Sequence, residues 1–279
     1  MESPTDNKNA FPQRANSAAN AVGAADPWAE LQKYTTARIG IGRAGGSQRT
    51  PSILDFRLAH ARARDAVWAT FRPEEIAEKL SLSGFETATL NTRVSDKQTY
   101  LMNPELGRRL DDASIARLKE YAAEWGSRDF AVVISDGLSA TAANAHAVNT
   151  VIALFKNLPP EHWRTYPILI VPYARVKIQD AINEILGARH TLILVGERPG
   201  LGSPDSLSAY FTYRAKWASV ESDRNCISNI RPLGFPIDAA AKKLAWLLEK
   251  SRKMQISGTK LKDTFDAATL PETAAPQIQ

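Results

Sequence analysis

Cysteine is almost missing from this chain: of its 279 residues only one, Cys226, carries a thiol. A single thiol excludes an internal disulfide framework and any metal site built from several cysteines, and it points to a reducing cytoplasm. Long apolar runs are missing too, none approaching the about 18 residues that a membrane-spanning helix needs. Residues 1–26, rich in Ala, Asn, Ser and Pro, contain no apolar h-region and so do not read as a secretory signal. Histidine is sparse: His60, His146, His162 and His190 stand alone, with no second ligand type at zinc spacing, and each reads as a satisfied surface or helix histidine. The Gly-Lys-Ser/Thr ending of a phosphate loop is absent, as is the Gly-x-Ser-x-Gly of a nucleophile elbow. There is no internal repeat.

What is present is ordinary in bulk and uneven in detail. A hydrophobic fraction of 44% with 23% charged residues describes a soluble globular protein of one large domain or two modest ones. The net charge of +5 is concentrated in one stretch, where Arg38, Arg43, Arg49, Arg57, Arg62 and Arg64 face only Asp55 and Asp65. That stretch reads either as a surface for an anionic partner (phosphate, nucleic acid or an acidic subunit) or as a solvated helix face.

Residues 1–26 lack periodicity and are expected to be disordered. Asp26-Pro27 and Thr50-Pro51 each look like a helix cap followed by Pro at the first helical position. The first predicts a short helix to about Lys33, the second an amphipathic helix with arginines on its outer face. Ile39-Gly40-Ile41-Gly42-Arg43-Ala44-Gly45-Gly46 superficially suggests a dinucleotide fingerprint but lacks the preceding strand that the motif requires. Further helices are predicted from Pro73 to about Leu80 and over 113–125. Beyond these the pattern changes to apolar runs at 130–134, 166–171 and 192–195, separated by helices to about Lys156 and to Leu186-Gly187. Strand, helix, strand, helix, strand, with each strand apolar throughout, reads as a buried parallel sheet. A last helix over 237–254 precedes a polar tail from Gly258, expected to fray.

Three strand ends therefore converge on one edge: Ser135-Asp136-Gly137, the stretch around Arg175-Val176, and Gly196-Glu197-Arg198. A ligand crevice is predicted there. Glu197, between Gly196 and Arg198 at a strand end, is placed to accept hydrogen bonds from a ligand, or else to pair with Arg198 or Arg224. Asp136 is read as meeting a ligand or as holding its loop. Cys226 lies in the polar segment 223–230, read as a loop. It is either a small buried thiol lining an apolar pocket or, with Arg224 lowering its pKa, a nucleophile.

Several of these segments together resemble the small (light) subunit of ethanolamine ammonia-lyase. They are Val195-Gly196-Glu197-Arg198-Pro199-Gly200-Leu201-Gly202, Ser135-Asp136-Gly137-Leu138-Ser139, Arg175-Val176-Lys177-Ile178 and Asp223-Arg224-Asn225-Cys226-Ile227-Ser228-Asn229-Ile230. Ala37-Arg38-Ile39-Gly40-Ile41-Gly42-Arg43-Ala44-Gly45, Ser95-Asp96-Lys97 and Gly107-Arg108-Arg109-Leu110 match as well, so the resemblance runs in order from about Trp28 to Leu248. It implies a radical lyase that uses adenosylcobalamin to turn ethanolamine into acetaldehyde and ammonia, with the cofactor held between this chain and a larger barrel subunit that carries the substrate site. By motif match Val176, Glu197 and Cys226 are the cobalamin-contacting positions, with Arg198 and Asp136 added from proximity in sequence. No catalytic residue and no metal ligand is expected on this chain. None of the four histidines lies in the Asp-x-His-x-x-Gly pattern of proteins that bind cobalamin base-off, so the cofactor is expected base-on.

The implied fold is α/β: a small, mainly helical, Arg-rich N-terminal domain (27–110), then a Rossmann-like, cobalamin-binding domain with a parallel sheet (111–257), then the polar tail (258–279). The partner expected is the large subunit in a hetero-oligomer, with no nucleic acid and no membrane; the Arg-rich helix is expected to dock there through Arg–carboxylate pairs. Residues 1–26 have little of the amphipathic helical pattern that would target a bacterial microcompartment. The rival readings are a stand-alone nucleotide-binding α/β enzyme with Cys226 as nucleophile and an Arg-rich nucleic-acid-binding module.

Overall fold

The computed structural model describes residues 28–35, 37–44 and 46–265, so the expectations for residues 1–26 and for 266–279 lie outside the described residues. The chain divides into two compact units, residues 1–62 with 267–279, and residues 63–266.

In the first unit a short 3-10 helix, Ala29–Lys33, stands where the Asp26-Pro27 signal predicts a helix. A hairpin of two-residue strands follows, β1 (Arg43–Ala44) and β2 (Ser47–Gln48), paired antiparallel. Among the described residues no strand precedes the Gly-rich segment. Helix α1 (Thr50–Trp68) begins at the Thr-Pro signal, and within this unit Arg38 Nε pairs with Asp55 Oδ2 at 3.2 Å. A cavity of about 370 Å³ lined by Gly40, Ile41, Gly42, Arg43, Gly46, Ser47 and Gln48 contains none of the predicted site residues.

The second unit is a six-stranded mixed sheet between two layers of helices. Its elements are α2 (Pro73–Leu82), β3 (Thr87–Thr89), α3 (Lys97–Met102), α4 (Asp112–Trp125), β4 (Phe130–Ser135), α5 (Ala140–Asn157), β5 (Ile168–Ile170), α6 (Ile178–Leu186), β6 (His190–Gly196), β7 (Leu207–Tyr213), β8 (Arg224–Ile230) and α7 (Ile237–Met254). The strands lie in the order β3-β5-β4-β6-β7-β8. The first four run parallel, and β7 and β8 add on antiparallel. The sheet reaches back to Thr87–Thr89, upstream of the boundary expected at 110/111.

The helices start and stop where the chain supplies the right groups. Asp96, Asp111 and Ser139 cap α3, α4 and α5 by accepting backbone N–H bonds from Thr99, Ser114 and Ala142. Gly187, at φ 67°, ends α6 in the left-handed conformation. The apolar runs of β4 and β6 are buried along their whole length because both faces are covered. Phe130, Val132 and Ile134 pack with α5 and α7 residues such as Leu154, Leu244 and Leu248. Ala131 and Val133 pack on the other face with Leu118 of α4 and Ile178 and Ile182 of α6. From β4 the chain passes through α5 to β5, then through α6 on the opposite face to β6 on the other side of β4. The winding therefore reverses between β4 and β6, the place where open α/β sheets leave a crevice beyond their carboxyl ends.

Two expectations change here. Segment 223–230 is not a loop: Arg224–Ile230 is the edge strand β8, in which Cys226 faces Tyr210 of β7. The signal was the alternation in Leu207–Tyr213, where Leu207, Ala209 and Phe211 turn to the core and Ser208, Tyr210 and Thr212 to the other face. Nor does the tail fray at Gly258. Leu261 is buried in the main core, Gly258 exchanges hydrogen bonds with the Asn225 side chain, and Phe265 meets Trp246 edge-on at 5.6 Å. A few apolar residues spaced along a polar stretch were enough to dock it. Among the described residues, no helix is long and apolar enough to cross a membrane.

Candidate functional site

The predicted crevice between the ends of β4 and β6 is closed by backbone. Leu138 N donates to Gly196 O at 3.0 Å. A Cβ on Gly196 would stand 2.1 Å from Ser139 O and 2.5 Å from Asp136 O, so this glycine lets two loops touch each other. It does not open a path for a ligand between the two strand ends.

Asp136 belongs to the same closure. It is 1% exposed, with Oδ2 at 3.2 Å from Lys97 Nζ and Oδ1 accepting from Tyr173 N at 2.7 Å. Burial pushes its carboxyl pKa up, against the pull of the Lys97 charge and the bonds it accepts. Lys97 also reaches Gly137 O at 3.2 Å and lies 5.0 Å from the Tyr100 ring. Ser135 Oγ accepts from Ala174 N at 3.0 Å, and Arg175 N donates to Gly107 O at 2.7 Å. The loop that carries Val176 is thus latched from below by the end of β4. Val176 itself is half-buried against the apolar cluster on the α4/α6 face.

The open surface lies on that same face, displaced toward the sheet edge. Glu197 follows β6 directly, its N–H bonded to Ser206 O at 2.9 Å. Its Oε1 accepts from Ser208 Oγ at 2.5 Å and from Asn229 N at 2.8 Å. Ser208 Oγ lies 3.3 Å from Ser228 Oγ, which is 3.1 Å from Cys226 Sγ. Glu197 and Cys226, 29 positions apart in sequence, are therefore joined by two serine hydroxyls on one face of β7 and β8. Tyr210 sits beside Cys226 and Ser208 and packs against the apolar cluster that also holds Val176. Arg198 is exposed on the following loop, and among the described residues no ion pair engages it.

The chemistry of Cys226 departs from both expectations. It is exposed, among hydroxyls, and does not line an apolar pocket. Desolvation by its neighbours raises its pKa, assisted by the Glu197 charge and opposed by its hydrogen bonds with Ser228 and Tyr210. Arg224, expected to lower it, is committed elsewhere. Its Nη1 and Nη2 donate to Asp180 Oδ1 and Oδ2 at 2.8 and 2.7 Å, and Lys177 Nζ adds a contact to Asp180 Oδ2 at 3.3 Å. Cys226 is therefore a neutral thiol at neutral pH, a weak donor and a poor nucleophile. Glu197 likewise pairs with neither Arg198 nor Arg224; its partners are a hydroxyl and a backbone amide.

No histidine stands at this surface. His146 contacts Asp205 at 3.3 Å, His162 contacts Glu249 at 3.0 Å, and the His60 ring lies tilted, 6.3 Å from that of Phe56 on α1. His190, expected on a surface or helix, is buried in β6 against Ser251 Oγ at 3.0 Å. Among the described residues no group of three or more His, Cys, Asp and Glu is placed to hold a metal ion. The arrangement can accept a hydrogen bond at a fixed carboxylate, offer a thiol, and shelter an apolar edge beside Val176 and Tyr210. Sequence reasoning missed Ser208, Tyr210, Ser228 and the amide of Asn229, because their proximity to Glu197 depends on strand pairing.

Comparison with known proteins gives one consistent result. The family model of the ethanolamine ammonia-lyase light chain (EutC) matches residues 25–262. The ethanolamine ammonia-lyase small subunit of Azotobacter vinelandii is 45% identical over 246 residues, 88% of this chain and 91% of that protein. The protein of the same name from Pseudomonas syringae pv. tomato is 47% identical over 247 residues, 88% of this chain and 86% of that one. Another from Pseudomonas fluorescens is 41% identical over 255 residues, 91% and 93% of the two chains.

Proposed function

The chain belongs to the ethanolamine ammonia-lyase light-chain family, and from that premise we propose that it is the small subunit of a two-subunit, adenosylcobalamin-dependent lyase that converts ethanolamine into acetaldehyde and ammonia. The observation that carries the cofactor reading is the joining of Glu197 and Cys226 through Ser208 and Ser228 on one open face beside the sheet edge. The two segments come from different strands, yet they form one rim.

The residues present suit a corrin, whose rim bears apolar edges and primary amide arms. Glu197 supplies a fixed acceptor, Cys226 a thiol, and Val176 an apolar shoulder, while exposed Arg198 is free to reach an anionic group. Asp136 acts at one remove, holding the Tyr173–Val176 loop through Tyr173 N and Lys97. Radical chemistry comes with the cofactor when it is bound, and the protein's share is binding, orientation and exclusion of water. None of the four histidines lies in the Asp-x-His-x-x-Gly pattern, which supports a cofactor that would be held base-on. The sheet, wound in opposite directions about β4 with helices on both faces, is the Rossmann-like scaffold for this rim. The partner's face closes the socket.

Docking falls to the Arg-rich unit. On α1, Arg57 and Arg62 are exposed beside the exposed apolar residues Leu54, Phe56 and Leu58. That mixture of Arg forks and apolar side chains is characteristic of a protein interface. Reversing the charge of Arg57 and Arg62 is expected to weaken copurification with the large subunit; undiminished complex formation would remove this role.

The decisive experiment is co-expression with the large subunit, with cobalamin retention and acetaldehyde release assayed with and without this chain. Loss of both on omitting the chain is expected. Equal acetaldehyde production by the large subunit alone would overturn the proposal. A stand-alone enzyme with a Cys226 nucleophile is disfavoured by the raised thiol pKa and by the commitment of Arg224 to Asp180.

A further inference from the structure

Ser208 is a hydroxyl with no exposed surface, in a strand whose neighbour β6 is apolar throughout at that level. A buried hydroxyl requires a partner, and this one has Glu197 Oε1 at 2.5 Å. A serine has one proton, and the carboxylate takes it. At the 3.3 Å contact with Ser208 the Ser228 hydroxyl is then the donor, and at the 3.1 Å contact with Ser228 the Cys226 thiol is the donor. Donation therefore runs in one direction, from Cys226 through Ser228 and Ser208 to Glu197.

The backbone contributes a second donor to the same oxygen. Asn229 has φ 59°, a conformation that Asn tolerates better than most residues, and its N–H reaches Glu197 Oε1 at 2.8 Å. That conformation is held on both sides: Asn229 O accepts from Phe235 N at 2.7 Å, and its Oδ1 accepts from Arg231 Nε at 2.8 Å. Oε1 thus receives two internal donors, while Oε2 has no partner among the described residues. A carboxylate saturated on one oxygen only has a fixed plane and one free acceptor.

We propose that Ser208 and Ser228 are positioning residues, which with the Asn229 amide fix Glu197 so that Oε2 alone accepts a hydrogen bond from a primary amide N–H of the ligand. This rests on the corrin reading above and deepens it by naming the ligand group that Glu197 recognises and the side chains that aim it.

The test uses the complex with the large subunit and cyanocobalamin as probe, with binding followed by visible absorbance and the thermal midpoint of each complex recorded alongside. Ser208→Ala is expected to weaken binding about tenfold, the loss of one hydrogen bond to a charged group. Ser208→Thr, which restores the hydroxyl, is expected to stay within about threefold of the parent, whereas Ser228→Ala, which removes the hydroxyl that donates to Ser208, is expected to weaken binding by about threefold to tenfold. A cyanocobalamin monocarboxylate, with one amide replaced by a carboxylate, reads the contact directly. One of the positional isomers should bind the parent complex far worse than cyanocobalamin, and Glu197→Gln should relieve that penalty. Parent-like binding by Ser208→Ala while Glu197→Ala weakens it would overturn the positioning role and leave the corrin reading standing. Penalties for every isomer that Glu197→Gln leaves unchanged would overturn the amide contact. Binding unaffected by Glu197→Ala and Cys226→Ala alike would remove the corrin rim itself.

Discussion

Replacing Asp180 by alanine removes the carboxylate at the centre of the most completely buried charge cluster among the described residues. Its side chain is 0% exposed and that of Arg224 is 1% exposed. The pair is bidentate, at 2.8 and 2.7 Å, with Lys177 Nζ as a third member at 3.3 Å. Burial works against the Arg224 charge, but the bonds to Asp180 and its negative charge outweigh it and hold the guanidinium pKa above its ordinary value. Without Asp180 the guanidinium keeps the 3.4 Å contact to Glu221, a largely exposed residue, and long contacts to Thr212 Oγ1 at 3.4 Å and to Ser219 O, none of them a buried charge. Leaving one partner of such a pair buried alone costs about 3–5 kcal/mol. At roughly 2–4 °C per kcal/mol for a domain of this size, the melting temperature should fall by roughly 6–20 °C. Arg224→Met should cost a similar amount, whereas Asp180→Leu with Arg224→Met should recover most of it, since an apolar pair of similar volume needs no desolvation. Urea unfolding of the full chain, followed by far-ultraviolet circular dichroism, gives the free energies of Asp180→Ala and of the Asp180→Leu, Arg224→Met and double variants, and the last three give the coupling. A loss below about 1 kcal/mol for Asp180→Ala, or a double variant whose loss equals the sum of the singles, would refute the reasoning.

Two further outcomes follow from the core and the closed crevice. Burial depresses the pKa of His190 to about 4 from its ordinary 6.5, so on acidification the unfolded chain takes up this proton first. Its contribution to stability is complete above pH 6.5, is lost as the pH falls to 4, and is constant below; the loss is about 3 kcal/mol. The difference in stability between the parent and His190→Asn across that window, read by urea unfolding, should show it, and parallel pH curves would contradict it. Gly196→Ala would place a methyl against the carbonyls of Ser139 and Asp136 and push the two loops apart, at a cost of about 2 kcal/mol or more. Cobalamin retention by the complex should fall with it, because Glu197 is the next residue. A neutral effect on both would mean that the loops can separate freely.

The sequence by itself determined the secondary elements whose signals are local. Helix α7 follows from its apolar spacing and α1 from its Thr-Pro start, and the apolar runs of β4, β5 and β6 mark strands covered on both faces. Runs of matched residues also sufficed to place the chain in its family and to mark Glu197 and Cys226 as belonging together. Tertiary structure alone decided how they meet. Whether 224–230 is loop or strand depends on β7 lying beside it, since its pattern of apolar and polar residues is too irregular to declare itself. That pairing is what brings Ser208, Ser228 and the Asn229 amide to Glu197 Oε1 and exposes Cys226. The same holds for Arg224, two residues before Cys226 and plausible on spacing alone as its activator. A hydrogen-bonded carboxylate on α6, 44 residues earlier in the chain, claims that charge first, because a buried guanidinium is stable only where its partner is already in place.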